Sequence, residues 1–268
     1  MTDWIGHTRT GTEAITPRLL ATFRATLGNT LVSAPVPLGL HWALLPDMAA
    51  PEDLGPDGHP RLGLYLPDLG LPRRMWAGGE ILFQNALSPD ERVTRTSTIT
   101  DIRQKTGSSG ALAFVTVAHT LTADGATRIT ERQDIVYREP PSGPVATPAP
   151  APDWPDASVL HITPDTVLLQ RYSALTFNSH RIHYDLPYAT GVEGYPALVV
   201  HGPLQAIWLM NHAARDRGPP ATFAYRGTFA LTLGHSVTVE SHETPTGLDL
   251  RIRRADGVVT MQAAATFP

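Results

Sequence analysis

The segment 139–156 constrains the fold most, because seven of its residues are prolines. A segment of this composition is extended and semi-rigid, and it packs neither as a helix nor as a central strand. We therefore place the domain boundary in this segment. A chain of 268 residues can bury a sizeable core, as one large domain or two small ones. We predict an N-terminal unit at 1–138, a linker at 139–156 and a C-terminal unit at 157–268.

The two units share one order of elements. Residues 15–17 (Ile-Thr-Pro) have a counterpart in 162–164, and residues 23–29 align with 172–178 after a two-residue insertion. Thr16 followed by Pro17 is a favourable helix start, and the apolar spacing after it predicts an amphipathic helix ending near Gly28. A repeat of this size indicates two copies of one supersecondary unit.

The remaining predicted elements are strands and one further helix. Runs rich in β-branched and aromatic residues, separated by turn signals, predict strands at 74–83, 92–102, 111–122, 126–137, 223–231, 235–242, 248–253 and 258–267. The apolar run 200–214 predicts a helix, and residues 47–60 predict an exposed loop. The chain is thus predicted to be α+β, each unit an antiparallel sheet wrapped around a helix, with two sheets that could join edge to edge.

Composition excludes several function classes. The net charge of −4 gives no basic surface for nucleic acid. The absence of cysteine removes disulfides, thiolate nucleophiles and cysteine-ligated zinc. The N-terminus is too polar for a secretion signal, and the apolar run 197–210 is too short to cross a bilayer. We expect a cytoplasmic protein with no membrane partner.

Two short motifs in the C-terminal unit carry the chemistry. The first is the polar cluster within residues 177–185, Phe-Asn-Ser-His-Arg-Ile-His-Tyr-Asp, and the second is residues 200–204, Val-His-Gly-Pro-Leu. A histidine transfers protons near neutral pH. The Gly-Pro pair predicts a helix start whose unpaired N–H groups attract negative charge. Together they suit chemistry beside a carbonyl group.

The two motifs resemble those of the MaoC-like hydratases and dehydratases, and more narrowly the branch with two hot-dog units in one chain. The resemblance implies a double hot-dog fold with one active site in the C-terminal unit, the N-terminal unit being catalytically degenerate. It implies a hydro-lyase acting on a 2-enoyl or 3-hydroxyacyl thioester, with a short carboxylate-bearing acyl-CoA such as mesaconyl-C4-CoA or itaconyl-CoA as the expected substrate. No cofactor is expected beyond the CoA or pantetheine arm of the substrate, and a homodimer is plausible for such units.

The resemblance also assigns roles to residues of this chain. His183 corresponds to the general base and acid. Asn178 stands where single-domain relatives carry aspartate, so it would orient the water without exchanging protons. The Gly202 amide would hold the enolate oxygen. The expected substrate-binding residues are Arg181, His180, Tyr184, Val200, His201 and Arg226.

Alternatives remain at this stage. His180, His183 and Asp185 could bind zinc or iron, but their spacing matches no closed metal motif, and we expect no metal. Asp185 is better explained as a local cap or turn acceptor. Arg171, Arg181 and Arg226 could each meet a substrate anion. A hot-dog thioesterase or a non-catalytic acyl-CoA-binding or assembly module would be the alternative functions; Asn178 argues against the first and His183 against the second.

Overall fold

A computed structural model describes residues 2–107, 110–139, 143 and 146–268. Each half contains five strands. The elements of the first half are β1 (Thr8–Ala14), α1 (Pro17–Leu27), β2 (Arg73–Phe83), β3 (Arg92–Gly107), β4 (Gly110–Ala123) and β5 (Ala126–Arg138). Those of the second half are β6 (Ser158–Ile162), α2 (Thr166–Thr176), α3 (Leu186–Gly191), α4 (Gly202–Ala213), β7 (Thr222–Gly227), β8 (Val237–Thr244), β9 (Gly247–Arg254) and β10 (Val259–Thr266).

All ten strands form one antiparallel sheet in the order β1-β3-β4-β5-β2-β7-β10-β9-β8-β6. Read inward from each edge, the two halves have the same order, since β6-β8-β9-β10-β7 repeats β1-β3-β4-β5-β2. The halves meet where β2 pairs with β7, with Glu80 opposite Ala224. The predicted joining of two sheets edge to edge is therefore observed, and the join leaves no free strand edge at the centre.

Helix α4 lies at the centre because it is apolar on nearly every side. Its residues from Leu204 to Ala213 are all buried, as expected for a helix without a polar face. One side packs on β8, β9 and β10. The other meets the first half, where Asn211 donates to the Leu38 carbonyl (3.2 Å) and accepts from the Val32 amide (3.2 Å). A side chain at Gly39 would overlap Ile207, so that position needs glycine.

The first half has α1 as its helix but no counterpart of α4. Residues 28–72, all of them described, contain short 3₁₀ turns such as Leu40–Ala43. Leu40 and Leu44 are fully buried in the same apolar cluster as α4. A single central helix thus serves both halves of the molecule, where the sequence predicted one in each.

The strands and helices predicted from the sequence are confirmed, with ends shifted by a few residues. The edge strands β1 and β6 were not predicted, because both are short and mostly polar or exposed. Thr16 caps α1 by accepting from the Leu19 amide, as predicted. The corresponding cap of α2 is Asp165, which accepts from the Leu168 amide (2.7 Å).

The proline-rich segment lies partly outside the described residues, at 140–142 and 144–145, as do Ser108 and Ser109 of the predicted 107–110 turn. Its described end, from residue 146, has no regular structure and runs along the second half of the sheet. There Arg251 donates to the Pro152 carbonyl and lies 3.9 Å from the centre of the Trp154 ring. Among the described helices, none is long and apolar enough to cross a membrane.

Candidate active site

The histidine loop, residues 177–185, follows directly from the end of α2. Phe177 ends the helix in the left-handed conformation, with φ of 50°. The Asn178 amide then donates back to the Ser173 carbonyl (2.8 Å), while the Asn178 side-chain oxygen accepts from the His180 amide (2.9 Å). These bonds turn the chain sharply and direct His180 and His183 inward.

The tautomer of His183 is fixed by one hydrogen bond. Its Nδ1 lies 2.7 Å from the Val199 carbonyl oxygen, which can only accept, so Nδ1 carries the proton. Burial lowers the pKa of His183 to about 3, although the bond to Val199 acts in the opposite direction. The ring is therefore neutral at neutral pH, with an unprotonated Nε2 that can accept a proton.

His201 lies against His183. The two rings stack with centroids 3.6 Å apart and planes 19° from parallel. The Nε2 atom of His201 is 2.9 Å from the Ser173 hydroxyl, and Nδ1 has no hydrogen-bond partner within the described part of the chain. Burial lowers the pKa of His201 well below 6.5. The stack places the His183 ring beside the residue that immediately precedes Gly202.

Gly202 is the first residue of α4, and Pro203 follows it. Its amide donates to no acceptor among the described residues, as expected for the start of a helix. A methyl group on Gly202 would lie 2.8 Å from the Trp76 ring. Trp76 itself stacks on Tyr225, with ring centroids 4.4 Å apart. Trp76 of the first half and Tyr225 of the second thus form an aromatic wall that leaves the Gly202 amide free and excludes any larger residue there.

A buried carboxyl group supports this wall from behind. Glu131 accepts hydrogen bonds from the Trp42 indole (2.9 Å) and the Tyr225 hydroxyl (3.0 Å). Burial raises the pKa of Glu131 above its ordinary value, and these bonds partly offset that rise. The aromatic wall is therefore fixed by hydrogen bonds as well as by packing.

A cleft of about 520 Å³ opens beside His183. It is lined by Thr166, Val167, Gln170, Arg171, His183, Tyr184 and Leu198. A second cleft, of about 290 Å³ between α1 and α2, shares Val167 and Arg171 with it. Neither lining includes Asn178 or Gly202.

The structure brings some of the predicted binding residues to this site. His180 meets His183 edge to face, with ring centroids 5.4 Å apart, and Tyr184 lines the cleft. Val200 is buried, and its amide donates to the Leu231 carbonyl. His201 forms the stack described above.

Two predicted arginines lie elsewhere. The Arg181 guanidinium is occupied by the Asp185 carboxylate (2.8 Å) and the Pro56 carbonyl (3.1 Å). Arg226 is exposed on β7, on the face opposite to its neighbour Tyr225, because adjacent strand residues point to opposite faces. It therefore points away from the aromatic wall. Arg171 does line the cleft, and it forms no ion pair with any residue that the structure describes.

The metal site that the sequence suggested at His180, His183 and Asp185 does not form. Asp185 caps α3 by accepting from the Tyr188 amide (3.1 Å) and pairs with Arg181, as its sequence position suggested. The Nδ1 atom of His183 is used by Val199. These three residues do not converge on one point.

Sequence analysis missed the part played by residues 55–60. This stretch was predicted to be exposed, but it docks on the histidine loop. The Arg181 amide donates to the Asp57 carbonyl (2.8 Å), and the Ser179 hydroxyl donates to the Gly58 carbonyl. Gly58 has φ of +87°, and a side chain there would overlap the Ser179 carbonyl oxygen. A Gly/Pro-rich stretch predicts a turn, and nothing in it identifies a partner distant in sequence.

Docking brings Asp57 and His59 to His180. The rings of His59 and His180 lie 4.0 Å apart, and Asp57 Oδ2 lies 3.1 Å from His59 Nδ1. Burial would raise the pKa of Asp57, but the hydrogen bonds from His59 and the charge of Arg74 outweigh it and lower that pKa to about 2. Burial lowers the pKa of His59, and burial with the neighbouring His59 lowers that of His180 to about 2.

Comparison with known proteins identifies the family of this chain. The family model for hydroxyacyl-thioester dehydratase type 2 matches residues 39–232. The chain is 39% identical to the mesaconyl-C(4)-CoA hydratase of Chloroflexus aurantiacus over 266 residues, which cover 97% of this chain and 95% of the relative.

Solved structures share the fold at lower identity. HtdX of Mycobacterium tuberculosis superposes with a TM-score of 0.69 at 20% identity, covering 96% of this chain and 99% of its own. Another protein of that organism, whose fold is described as a double hotdog, gives 0.57 at 13% identity, with 98% and 96% covered. The chain therefore belongs to the MaoC-like hydroxyacyl-thioester dehydratase type 2 family, has the double hot-dog fold, and is a hydro-lyase that interconverts 2-enoyl and 3-hydroxyacyl thioesters.

Proposed function

We propose that His183 manages both proton transfers of the hydration reaction. The unprotonated Nε2 takes a proton from a water molecule as the water oxygen attacks C3 of the enoyl thioester. The electron pair of the C2–C3 double bond moves toward the thioester carbonyl and forms an enolate. The His183 imidazolium then returns the proton to C2, which regenerates the neutral base. No atom outside the substrate and water is consumed, so the scheme needs no resident cofactor.

Asn178 and Gly202 serve this sequence in different ways. The Asn178 oxygen is already bonded to the His180 amide, which leaves its NH₂ group to orient the water. The Gly202 amide holds the enolate oxygen, helped by the positive end of α4. A donor of this kind lowers the activation free energy by about 3 kcal/mol. The proposal therefore assigns the reacting groups to the second half, while the first half contributes Trp76 to the wall behind them.

The proposed substrate is a short enoyl-CoA with a second carboxylate, such as mesaconyl-C4-CoA or itaconyl-CoA. The observation that carries this choice is the 39% identity to a mesaconyl-C(4)-CoA hydratase across nearly the whole of both chains. Arg171 supports it, because an arginine without an ion-pair partner among the described residues lies in the cleft beside His183. A guanidinium group binds carboxylates and phosphates well.

A panel of enoyl-CoAs with and without the distal carboxylate tests the substrate class. We expect kcat/KM to be at least tenfold higher for the carboxylate-bearing members, measured by loss of the enoyl absorbance. Equal rates for crotonyl-CoA and mesaconyl-C4-CoA would contradict the choice. Measuring free thiol in the same reactions tests for a thioesterase, which would release CoA, whereas a binding module would change neither signal.

The role of the Gly202 amide can be isolated on a Trp76→Leu background, which makes room for a larger residue. In that background Gly202→Ala keeps the N–H and Gly202→Pro removes it, while both add a β-carbon. We expect the proline variant to lose about a hundredfold more kcat than the alanine variant. Similar rates for the two would remove the amide from the mechanism. Circular dichroism of both proteins controls for the helix start, which tolerates proline.

A further inference from the structure

We propose that Asp57, His59 and His180 form a binding site for a divalent transition-metal ion of the zinc class, at the junction between the two halves. The site adjoins the hydration site, because its ligand His180 also contacts His183, but it does not depend on the substrate class proposed above.

The donor atoms are already grouped. Each of the three residues offers one ligand atom, and these atoms all lie within 4.8 Å of one another. Ligands bound tetrahedrally to zinc at about 2.0 to 2.2 Å are about 3.4 Å apart. The 3.1 Å between Asp57 Oδ2 and His59 Nδ1 is close to that spacing. Since no two of the ligand atoms are more than 4.8 Å apart, side-chain shifts of about 1.4 Å at most would bring all three to the ion.

The chemistry of the set suits zinc, cobalt or nickel better than magnesium or calcium. Two imidazoles and one carboxylate are borderline ligands, whereas hard cations prefer oxygen donors throughout. Burial keeps both histidines neutral, and the aspartate is ionised at neutral pH, as coordination requires. Without a metal the His59 Nδ1–H donates to the Asp57 carboxylate, so this proton must move to Nε2 when the ion binds. The site keeps positions for water, because it has three protein ligands.

The ligands are held by two segments that are fixed to each other. Asp57 and His59 lie in the docked stretch 55–60, and His180 lies in the histidine loop. The bonds from Arg181 and Ser179 join these segments on both sides of Gly58. Little ordering is therefore needed when the ion binds. The side chains of His59 and Asp57 remain 25% and 20% exposed, so an ion can reach them from solvent.

One charge opposes binding. The Arg74 guanidinium faces Asp57 and His59 and donates to the Pro60 carbonyl (2.7 Å). Its repulsion lowers the affinity for a cation, so we expect binding weaker than that of a closed structural zinc site. The same reasoning predicts that Arg74→Gln binds the ion more tightly than the wild type.

Equilibrium dialysis of the metal-free full-length protein against Zn²⁺, with metal analysis, tests the proposal. We expect about one ion per chain with Kd in the micromolar range, and a Tm that rises with Zn²⁺ concentration. His59→Asn, Asp57→Asn and His180→Asn should each weaken binding at least tenfold. His235→Asn, which changes a partly buried histidine elsewhere, should bind as the wild type does.

An absorption spectrum of the wild-type protein tests the proposal without relying on the folding of variants. Co²⁺ added to the wild-type protein should give visible absorption bands of a low-coordinate, nitrogen-ligated ion, and Zn²⁺ should abolish them. Absence of such bands together with dialysis below one ion per chain at 100 µM Zn²⁺ (about the upper limit for a useful site) would overturn the proposal. Binding that survives in a folded His59→Asn variant would overturn it equally.

Discussion

The two halves of the molecule have the same strand order but divide the work unequally. The second half carries the histidine loop and α4, whose first residue is Gly202. The first half replaces those elements with residues 28–72, which form 3₁₀ turns and extended chain. Yet the first half supplies Trp76 behind Gly202 and the stretch 55–60 under the histidine loop.

This comparison shows how a repeated unit without the reactive residues can still contribute to the active site of the other unit. The first half lacks the counterpart of His183, but it supports the geometry of the surviving site. The term catalytically degenerate describes only what the first half lacks. It leaves out the contacts by which this half positions residues of the second half. The boundaries at 138 and 157 remain a prediction, and they separate segments that are structurally interdependent.

The largest expected effect comes from the second half. His183→Gln should lower kcat by 100- to 10,000-fold, because it removes the group that transfers both protons. Steady-state hydration of the preferred enoyl-CoA measures this, with His235→Gln as the matched control. Loss of less than tenfold in a folded variant would assign the proton transfers to another residue.

A smaller effect should come from the first half. Gly58→Ala should lower kcat about tenfold, because the methyl group meets the Ser179 carbonyl and displaces the histidine loop. Gly63→Ala is the control, since Gly63 has nearly the same φ, +89°, with nothing within 4 Å of an added Cβ. Backbone strain should cost each variant about 1 kcal/mol of stability, and the overlap with the Ser179 carbonyl should cost Gly58→Ala more. Equal activities for the two would show that the docked stretch does not position the loop.

Substitutions of two arginines should differ in their effect on substrate affinity. Arg171→Ala should raise KM five- to tenfold, because one charge-assisted hydrogen bond contributes about 1 to 1.5 kcal/mol, and kcat should change little. Arg226→Ala should leave both constants unchanged, since this residue lies on the opposite face of the sheet. A larger effect at Arg226 would place the bound substrate on that outer face.

The smallest expected effect is a change in stability at acid pH, and it concerns His119 in the first half. Burial, with the charge of Arg95, lowers the pKa of His119 to about 4, while the unfolded chain titrates near 6.5. The unfolded state therefore binds more protons below pH 6.5, and stability falls as the pH drops from 6.5 toward 4, by on the order of 3 kcal/mol in total. His119→Asn should lose less stability over that interval, measured by urea unfolding at pH 7 and pH 5. An identical loss in wild type and variant would contradict this.

The sequence predicted those features that depend on local chemistry. The cap at Thr16, the apolar helix at 200–214 and the alternating strands follow from neighbouring residues, as does the Gly-Pro start of α4. The histidine loop was identified by its motif.

Contacts between the halves could not be predicted in the same way. The docking of 55–60 depends on a close backbone approach at Gly58, and the place of Trp76 depends on the pairing of β2 with β7. Arg181 and Arg226 each fit an anion-binding role by residue type. The structure places both away from such a role. Arg181 is bonded to Asp185 and Pro56, and Arg226 lies on the outer face of β7.

Sharing α4 between the halves has a consequence for how the protein comes apart. Expressed alone, residues 157–268 would present to water the side of α4 that now meets Leu38, Gly39 and Leu40, and residues 1–138 would lack a filling for their concave surface. We therefore expect neither fragment to fold alone, and the whole chain should melt in a single calorimetric transition.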